Sequence, residues 1–472
     1  MLNKFNMTSI PQESYRSAIR QKLVDSIATP VPTLTARDVW LPAVTNKAIA
    51  VIGMRRAGKT SLLWRIVGER LKLGTAREAL VYFSFEDERL AGMTALDLQL
   101  VIEEYYKLYP ARRDREKTTF LLDEIQLIAG WETFARRILD SETIELFVSG
   151  SSAKLLSREI ASSMRGRAME AVVTPFSFRE MLRHHAALPA KPSQRLTKAE
   201  RSALHQMLQR YITYGGFPEL QALSGAANSR ERNELLKTYV DVVLLRDVVE
   251  RHNVSQPQVL RWLVRQLLGN AAGSFSINKF FNDLKSRGVA IGKQRLHEYL
   301  GHLEDSFLLT SICIATESER RRQVNARKIY PVDVGLMALF EAADKPNTGH
   351  ALETIVLHEC LRRGAQVAYV RTATGYEVDF LATYYDRSQT LIQVCTDLHD
   401  GATLEREVRA LQEARLEYPK ARCLLVTLEQ ALREPVIKGI AVVQAMDWLL
   451  DRQVDGLSAS GEKNDRILVR MT

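Results

Sequence analysis

The chain is poor in the features that mark several large protein classes. Its four cysteines among 472 residues, Cys313, Cys360, Cys395 and Cys423, form no CxxC pair, which excludes a disulfide scaffold and a cysteine-rich zinc site. No apolar run approaches the roughly 20 residues that span a bilayer, so no membrane partner is expected. Met1 to Arg20 lacks the apolar core of a signal peptide, and the expected location is the cytoplasm. Aromatics make up 7% of the residues and form no ladder for stacking single-stranded bases. No internal repeat or low-complexity tract interrupts the chain. What remains is a sequence long enough for two to four domains, with a net charge of +9 that permits a polyanionic partner.

The informative stretch is Gly53-Met54-Arg55-Arg56-Ala57-Gly58-Lys59-Thr60, a GxxxxGK[ST] phosphate-binding loop. Ala48 to Ile52 before it reads as a buried parallel strand, and Ser61 to Val67 after it has helical spacing. The glycines turn successive N–H groups toward a β-phosphate, and the following helix points its positive end at the same oxygens. The expected nucleotide contacts are Gly53, Arg55, Arg56, Ala57, Gly58, Lys59, Thr60 and Ser61, with Lys59 on the β- and γ-phosphates and Thr60 on Mg²⁺. The apolar run Thr119 to Leu122 ends in Asp123-Glu124: Asp123 is the second candidate metal ligand, and Glu124 the candidate base that orients the attacking water. ATP and Mg²⁺ are the expected cofactors.

Strands are expected over 48–52, 79–85, 119–123, 144–149 and 168–174, with helices between them, including 95–108 and 131–139. That alternation predicts an α/β fold: a P-loop NTPase parallel sheet with helices on both faces and the phosphate site at the carboxyl ends of its strands. Ser149 then falls beside Asp123 as a γ-phosphate sensor or water-holding residue, whereas Ser151 or Ser152 serves equally well as the cap of a helix over 153–160. Arg167, preferred over Arg165, is the candidate for stabilising transition-state charge, in its own or a neighbouring subunit of a homo-oligomer; a surface arginine pair is the plain alternative.

These segments resemble the bacterial and archaeal AAA-superfamily ATPases that carry a C-terminal winged-helix and restriction-endonuclease-like region. The resemblance rests on Gly53 to Thr60, Tyr82 to Asp87, Phe120 to Gln126, Val148 to Ser152, Gly166-Arg167 and Pro175 to Glu180, and later on Tyr214 to Pro218, Lys328 to Leu336, Leu352-Glu353 and Gly375 to Phe380. It implies ATP binding and hydrolysis. It also implies a division into a helical lead and linker (1–45), the ATPase domain (46–190), a helical region (191–254), a winged-helix domain (255–330), a smaller α/β restriction-endonuclease-like domain (331–452) and an unstructured polar tail (453–472).

The residues after 255 bear on output. Ser276 caps a helix through Lys285, the turn Gly288 to Gly292 follows, and a second helix runs from Lys293 to about Asp305, with strand-like Phe307 to Ile314 as the start of a wing. Lys293 and Arg295 at the helix tip, and Arg320, Arg321, Arg322, Arg327 and Lys328 beyond it, are candidate contacts to duplex DNA; docking of a protein partner, or a solvated basic loop, is the alternative. In the last domain Glu353 and Asp379 match two positions of a metal-dependent nuclease. Gln393 and Cys395 stand where that chemistry needs a carboxylate and a lysine, so the nuclease activity is expected to be lost unless Glu359, Glu377 or Asp397 moves into the site. The sequence therefore predicts an ATP-dependent switch or motor whose C-terminal half binds DNA, against a protein-interaction switch or, third, an ATP-coupled nuclease.

Overall fold

A computed structural model describes residues 12–151, 164, 166–223, 228–340, 347–398, 401–428 and 437–451. The expected helix over 153–160, Ser152, Arg165 and the tail from 453 lie outside the described residues. The chain divides into two compact units, Met1–Thr174 and Pro175–Thr472.

In the first unit β1 (Ala48–Ile52), β2 (Leu80–Ser84), β3 (Thr118–Asp123), β4 (Ile144–Gly150) and β5 (Ala168–Val172) form a five-stranded sheet in the order β2-β3-β4-β1-β5, with every pairing parallel. Every residue of β1 and β3 is buried, as continuous apolar strands covered on both faces must be. Helices α1 (Gln12–Ala28), α2 (Lys59–Lys72), α3 (Gln99–Leu108) and α4 (Trp131–Ser141) complete the unit. Leu62, Leu63, Ile66 and Val67 of α2 pack with Val51, Leu121 and Phe147 of the sheet. The lead segment belongs to this unit too: Arg16 and Arg20 of α1 pair with Glu104 of α3, and Val31, Val39 and Leu41 pack on the sheet core. Parallel register brings the carboxyl ends of β1, β3 and β4 together: Leu122 pairs with Val148, and Val51 with Ser149.

The second unit opens with α5 (Phe178–His184), α6 (Lys198–Tyr214), α7 (Ser229–Val242), a π-helical stretch Val243–Glu250 and α8 (Pro257–Gly269). A small sheet of order β6-β8-β7 follows, made of β6 (Ser274–Phe275), β7 (Leu309–Ile312) and β8 (Arg327–Pro331). Helices α9 (Ile277–Ser286) and α10 (Lys293–Asp305) lie in sequence between β6 and β7, and the short α11 (Glu319–Val324) between β7 and β8. A separate mixed sheet, β13-β12-β11-β10-β9, is built from β9 (Gln366–Arg371), β10 (Glu377–Thr383), β11 (Gln389–Cys395), β12 (Arg422–Thr427) and β13 (Ala441–Gln444). Its faces alternate with period two: Leu424 and Val426 pack with Leu352 and Val356 of α12 (Thr348–Arg362), while Cys423 and Leu425 pack with Leu411 and Ala414 of α13 (Gly401–Glu417). The short α14 (Ala445–Leu450) ends the described chain and joins the α12 side of this core.

Candidate functional site

The phosphate-binding loop leaves β1 at Gly53, whose φ of +151° and tight surroundings admit only glycine: a Cβ there would lie 2.0 Å from the carbonyl oxygen of Val173. Gly58, at φ 102°, ends the loop in the left-handed region and starts α2 at Lys59. The first N–H groups of this helix carry no intrahelical partner, which leaves them available to an anion. Arg37 is buried behind the loop and donates to the carbonyl oxygens of Ala57 and Thr174, tying the loop to the end of the sheet. Arg55 is partly buried, while Arg56, Thr60 and Ser61 are exposed.

Two expected site residues, Thr60 and Ser149, converge on the carboxylate of a third, Asp123. Asp123, at the end of β3, accepts from Thr60 Oγ1 at 2.8 Å through Oδ2, and Ser149 Oγ donates to its Oδ1. Ser149 also accepts the backbone N–H of Glu124 at 3.0 Å, so one buried hydroxyl fixes both acidic residues. Glu124 is held in the left-handed region at φ 55°, a strained position for a non-glycine residue, and its carboxylate accepts from Gln126 Nε2. Lys59 Nζ donates to the Gly53 and Met54 carbonyl oxygens at 3.1 and 3.2 Å and lies 4.0 Å from Glu124 Oε1.

Tyr82, on the neighbouring strand β2, gives Asp123 Oδ2 a second donor at 2.8 Å, while its ring lies 4.8 Å from that of Trp64 on α2. Burial first, and then Asp123, pushes the Tyr82 hydroxyl far above its ordinary range, so it stays a neutral donor. Sequence reasoning gave Tyr82, Gln126 and Arg37 no role. Period-two spacing on β2 beside the acidic strand was the available signal for Tyr82.

Of the two roles expected of Arg167, the one within its own chain is corrected by its place in the sheet. The residue precedes β5, and its carbonyl oxygen accepts the N–H of Ala48, the first residue of β1. Because β1 and β5 run parallel, Arg167 sits at the amino end of the sheet, about a strand length (~15 Å) from the loop at the carboxyl end. It pairs there with Asp140 and is removed from the phosphate site of its own chain.

The second unit requires further corrections. Lys328 and Arg327, expected on a DNA-facing wing, are paired within the fold. Lys328 on β8 is buried and reaches Glu353, Asp379 and Glu377 at 3.2, 3.2 and 2.8 Å. Burial opposes its charge, but the three carboxylates outweigh that and raise its pKa. Arg327 lies 3.6 Å from Glu304. Glu353 sits inside α12 and accepts from Tyr330 Oη at 2.6 Å; burial and then Asp379 push its carboxyl upward. Asp379 Oδ2 accepts the Val394 N–H. Gln393 takes the Asp379 N–H and donates Nε2 to Glu407 at 2.7 Å, so Glu407 on α13, absent from the sequence reading, adjoins the cluster. Cys395 donates to the Asp397 carbonyl, and burial raises its thiol pKa. Of the three carboxylates named as replacements, Glu377 approaches, whereas Glu359 is taken by Arg362 and Arg363. Lys293 and Arg295 stay exposed at the start of α10, Arg295 donating to Ser255 Oγ, and Arg320, Arg321 and Arg322 are exposed on α11.

Two family descriptions match: an AAA domain over residues 45–182, and a domain of unknown function (DUF8612) over residues 205–346. The chain is 33% identical over 382 residues to the uncharacterized protein MJ1544 of Methanocaldococcus jannaschii, covering 80% of this chain and 81% of that one. It is 29% identical over 405 residues to an uncharacterized protein of Haemophilus influenzae, covering 85% and 93%. Among solved structures, the Walker-type ATPase PABY2304 of Pyrococcus abyssi aligns with a TM-score of 0.39 at 15% identity, over 69% of this chain and 95% of that one. The parallel sheet of the first unit fits a P-loop NTPase fold, residues 45–182 match the AAA domain description, and the chain belongs to the family of the M. jannaschii protein MJ1544.

Proposed function

We propose that the chain is a Mg²⁺-dependent ATPase, acting as a switch or motor whose second unit reads out nucleotide state by contacting duplex DNA. The observation that carries the ATPase part is the convergence of Thr60, Ser149 and Tyr82 on Asp123 beside Lys59 and Glu124. Thr60 Oγ1 and Asp123 Oδ2 are hard oxygen donors 2.8 Å apart, a set suited to Mg²⁺, which is commonly held by one hydroxyl and one carboxylate beside substrate phosphates. When bound, the ion would neutralise charge on the β- and γ-phosphate oxygens. Lys59 leaves the loop carbonyls for those phosphates, and Ser149 keeps Asp123 and Glu124 in register. Glu124, fixed at its backbone, orients and takes a proton from the attacking water.

The order of α9, α10, β7 and β8, with β6 pairing to β8, supports a winged-helix reading of 255–330. Its DNA-facing residues are Lys293, Arg295, Arg320, Arg321 and Arg322. The mixed sheet supports a restriction-endonuclease-like reading of 331–452 without nuclease chemistry. Burial of Lys328 and pairing of Arg327 shrink the basic surface, which favours the runner-up, a protein-interaction switch in the cytoplasm.

Steady-state ATP hydrolysis with and without duplex DNA at low salt, with Glu124→Gln as blank, tests both parts. Glu124→Gln binding ATP without turnover, and Lys59→Ala failing to bind, are expected. Full turnover in Glu124→Gln refutes the ATPase assignment, and turnover indifferent to DNA moves the output to a protein partner.

A further inference from the structure

We infer that Lys328 is the resident cation of a buried carboxylate site in the second unit: its ammonium stands among Glu353, Asp379 and Glu377 where a divalent ion would otherwise bind, so the intact chain takes no metal there. This rests on the site's own geometry and is independent of the ATPase reading.

Lys328 Nζ makes three contacts with carboxylate oxygens, at 2.8 to 3.2 Å, and its side chain is 6% exposed. A compact point charge with three donors suits that task. Period two along β8 places Tyr330 on the same face, where its hydroxyl donates to the Glu353 oxygen that Lys328 also contacts. The remaining polar groups are committed elsewhere. Val394 N–H holds Asp379 Oδ2, and the Gln393 side chain spans from Asp379 N–H to Glu407. With Lys328 in place, no group of three or more His, Cys, Asp or Glu among the described residues, these three carboxylates included, is arranged to hold a metal ion.

Two buried carboxylates demand a compensating charge. Here the chain supplies it from a strand far from β11 in sequence, and a second cation sharing the same oxygens would be repelled by the ammonium. The absence of a lysine at 395 is therefore not repaired for catalysis by Lys328, which takes the place of the ion rather than that of its helper.

The test is Mn²⁺ uptake by the nucleotide-free full chain, read by electron paramagnetic resonance of free Mn²⁺ and by the thermal unfolding midpoint, in wild type, Asp379→Asn, Lys328→Met and Lys328→Met/Asp379→Asn. Wild type and Asp379→Asn should take up the same Mn²⁺, showing no site that depends on Asp379. Lys328→Met should unfold at lower temperature in metal-free buffer, take up an additional Mn²⁺ ion and recover stability with it, and the double variant should lose both effects. Uptake by wild type that Asp379→Asn removes overturns the inference, as does Mg²⁺-dependent nicking of supercoiled DNA lost in Asp379→Asn. A folded Lys328→Met chain that gains no Mn²⁺ overturns it as well. If Lys328→Met does not fold, the two chains that retain the lysine decide alone.

Discussion

Removing the Ser149 hydroxyl should damage the proposed ATPase site out of proportion to the single atom lost. Ser149 is 1% exposed, donates to Asp123 and accepts the Glu124 N–H at 3.0 Å. A hydrogen bond to a charged group contributes about 1.5–3 kcal/mol, and a buried N–H left without an acceptor costs about 1–3 kcal/mol. Ser149→Ala should therefore destabilise the first unit by roughly 2.5–6 kcal/mol, seen as a lower urea midpoint for its transition. If the freed Asp123 loses half or more of that alignment in the reacting complex, kcat falls by about 10- to 100-fold. A double-mutant cycle with Asp123→Asn, read as MgATP affinity, isolates the contact: the effect of Ser149→Ala should shrink by at least about 1 kcal/mol when Asp123 is already altered. A Ser149→Ala protein with unchanged midpoint and unchanged kcat refutes the reasoning, and strict additivity in the cycle shows that the serine does not act through Asp123.

Gly53→Ala should abolish ATP binding and lower the stability of the first unit by more than about 3 kcal/mol, measured by nucleotide titration and thermal unfolding, because its Cβ collides with the Val173 carbonyl. In the second unit, burial and then Arg362 hold His358 down at about 4, below its ordinary 6.5, while its Nε2 donates to the Pro331 carbonyl. A depressed histidine contributes stability that is present above pH 6.5 and lost as pH falls through 4, about 3 kcal/mol in all. Asp333, raised by burial to about 6, acts in the opposite sense: its contribution is present below 3.8 and lost as pH rises through 6. The two offset each other between pH 4 and 6, so the His358 share is read as the stability of wild type minus that of His358→Gln, a difference that should fall by about 3 kcal/mol between pH 7 and 4. Replacing Arg320, Arg321 and Arg322 with alanine should weaken duplex binding and reduce the slope of log affinity against log salt by up to about 3, measured by fluorescence anisotropy; an unchanged slope removes α11 from the DNA interface.

The first unit was largely legible because its signals are local. A continuous apolar strand, a glycine pattern and a helix start are each written within a few residues, and β1, β3 and the start of α4 fall where the periodicity places them. The same holds for α9, whose cap Ser276 accepts from Lys279 N–H, and for α10. Basic residues were misread for a general reason: sequence shows that a lysine carries charge, not whether a fold turns it toward solvent. Lys328 and Arg321 have the same character in the sequence, yet one is enclosed by carboxylates and the other is exposed. A role for Arg167 within its own chain was misjudged because proximity in sequence to a site strand says nothing about which end of a parallel sheet it occupies.

By itself the sequence determined a P-loop sheet, the loop residues and the acidic pair, since backbone conformation and phosphate chemistry constrain those residue types over a short span. Tertiary structure alone decided that Tyr82 joins Ser149 on Asp123, that Arg167 stands at the far end of the sheet, and that Lys328 of β8 meets Glu353 of α12 and Asp379 of β10. Those outcomes follow from strand order and from the need of buried charges for partners, which is met by whichever residues the completed fold brings within about 3 Å.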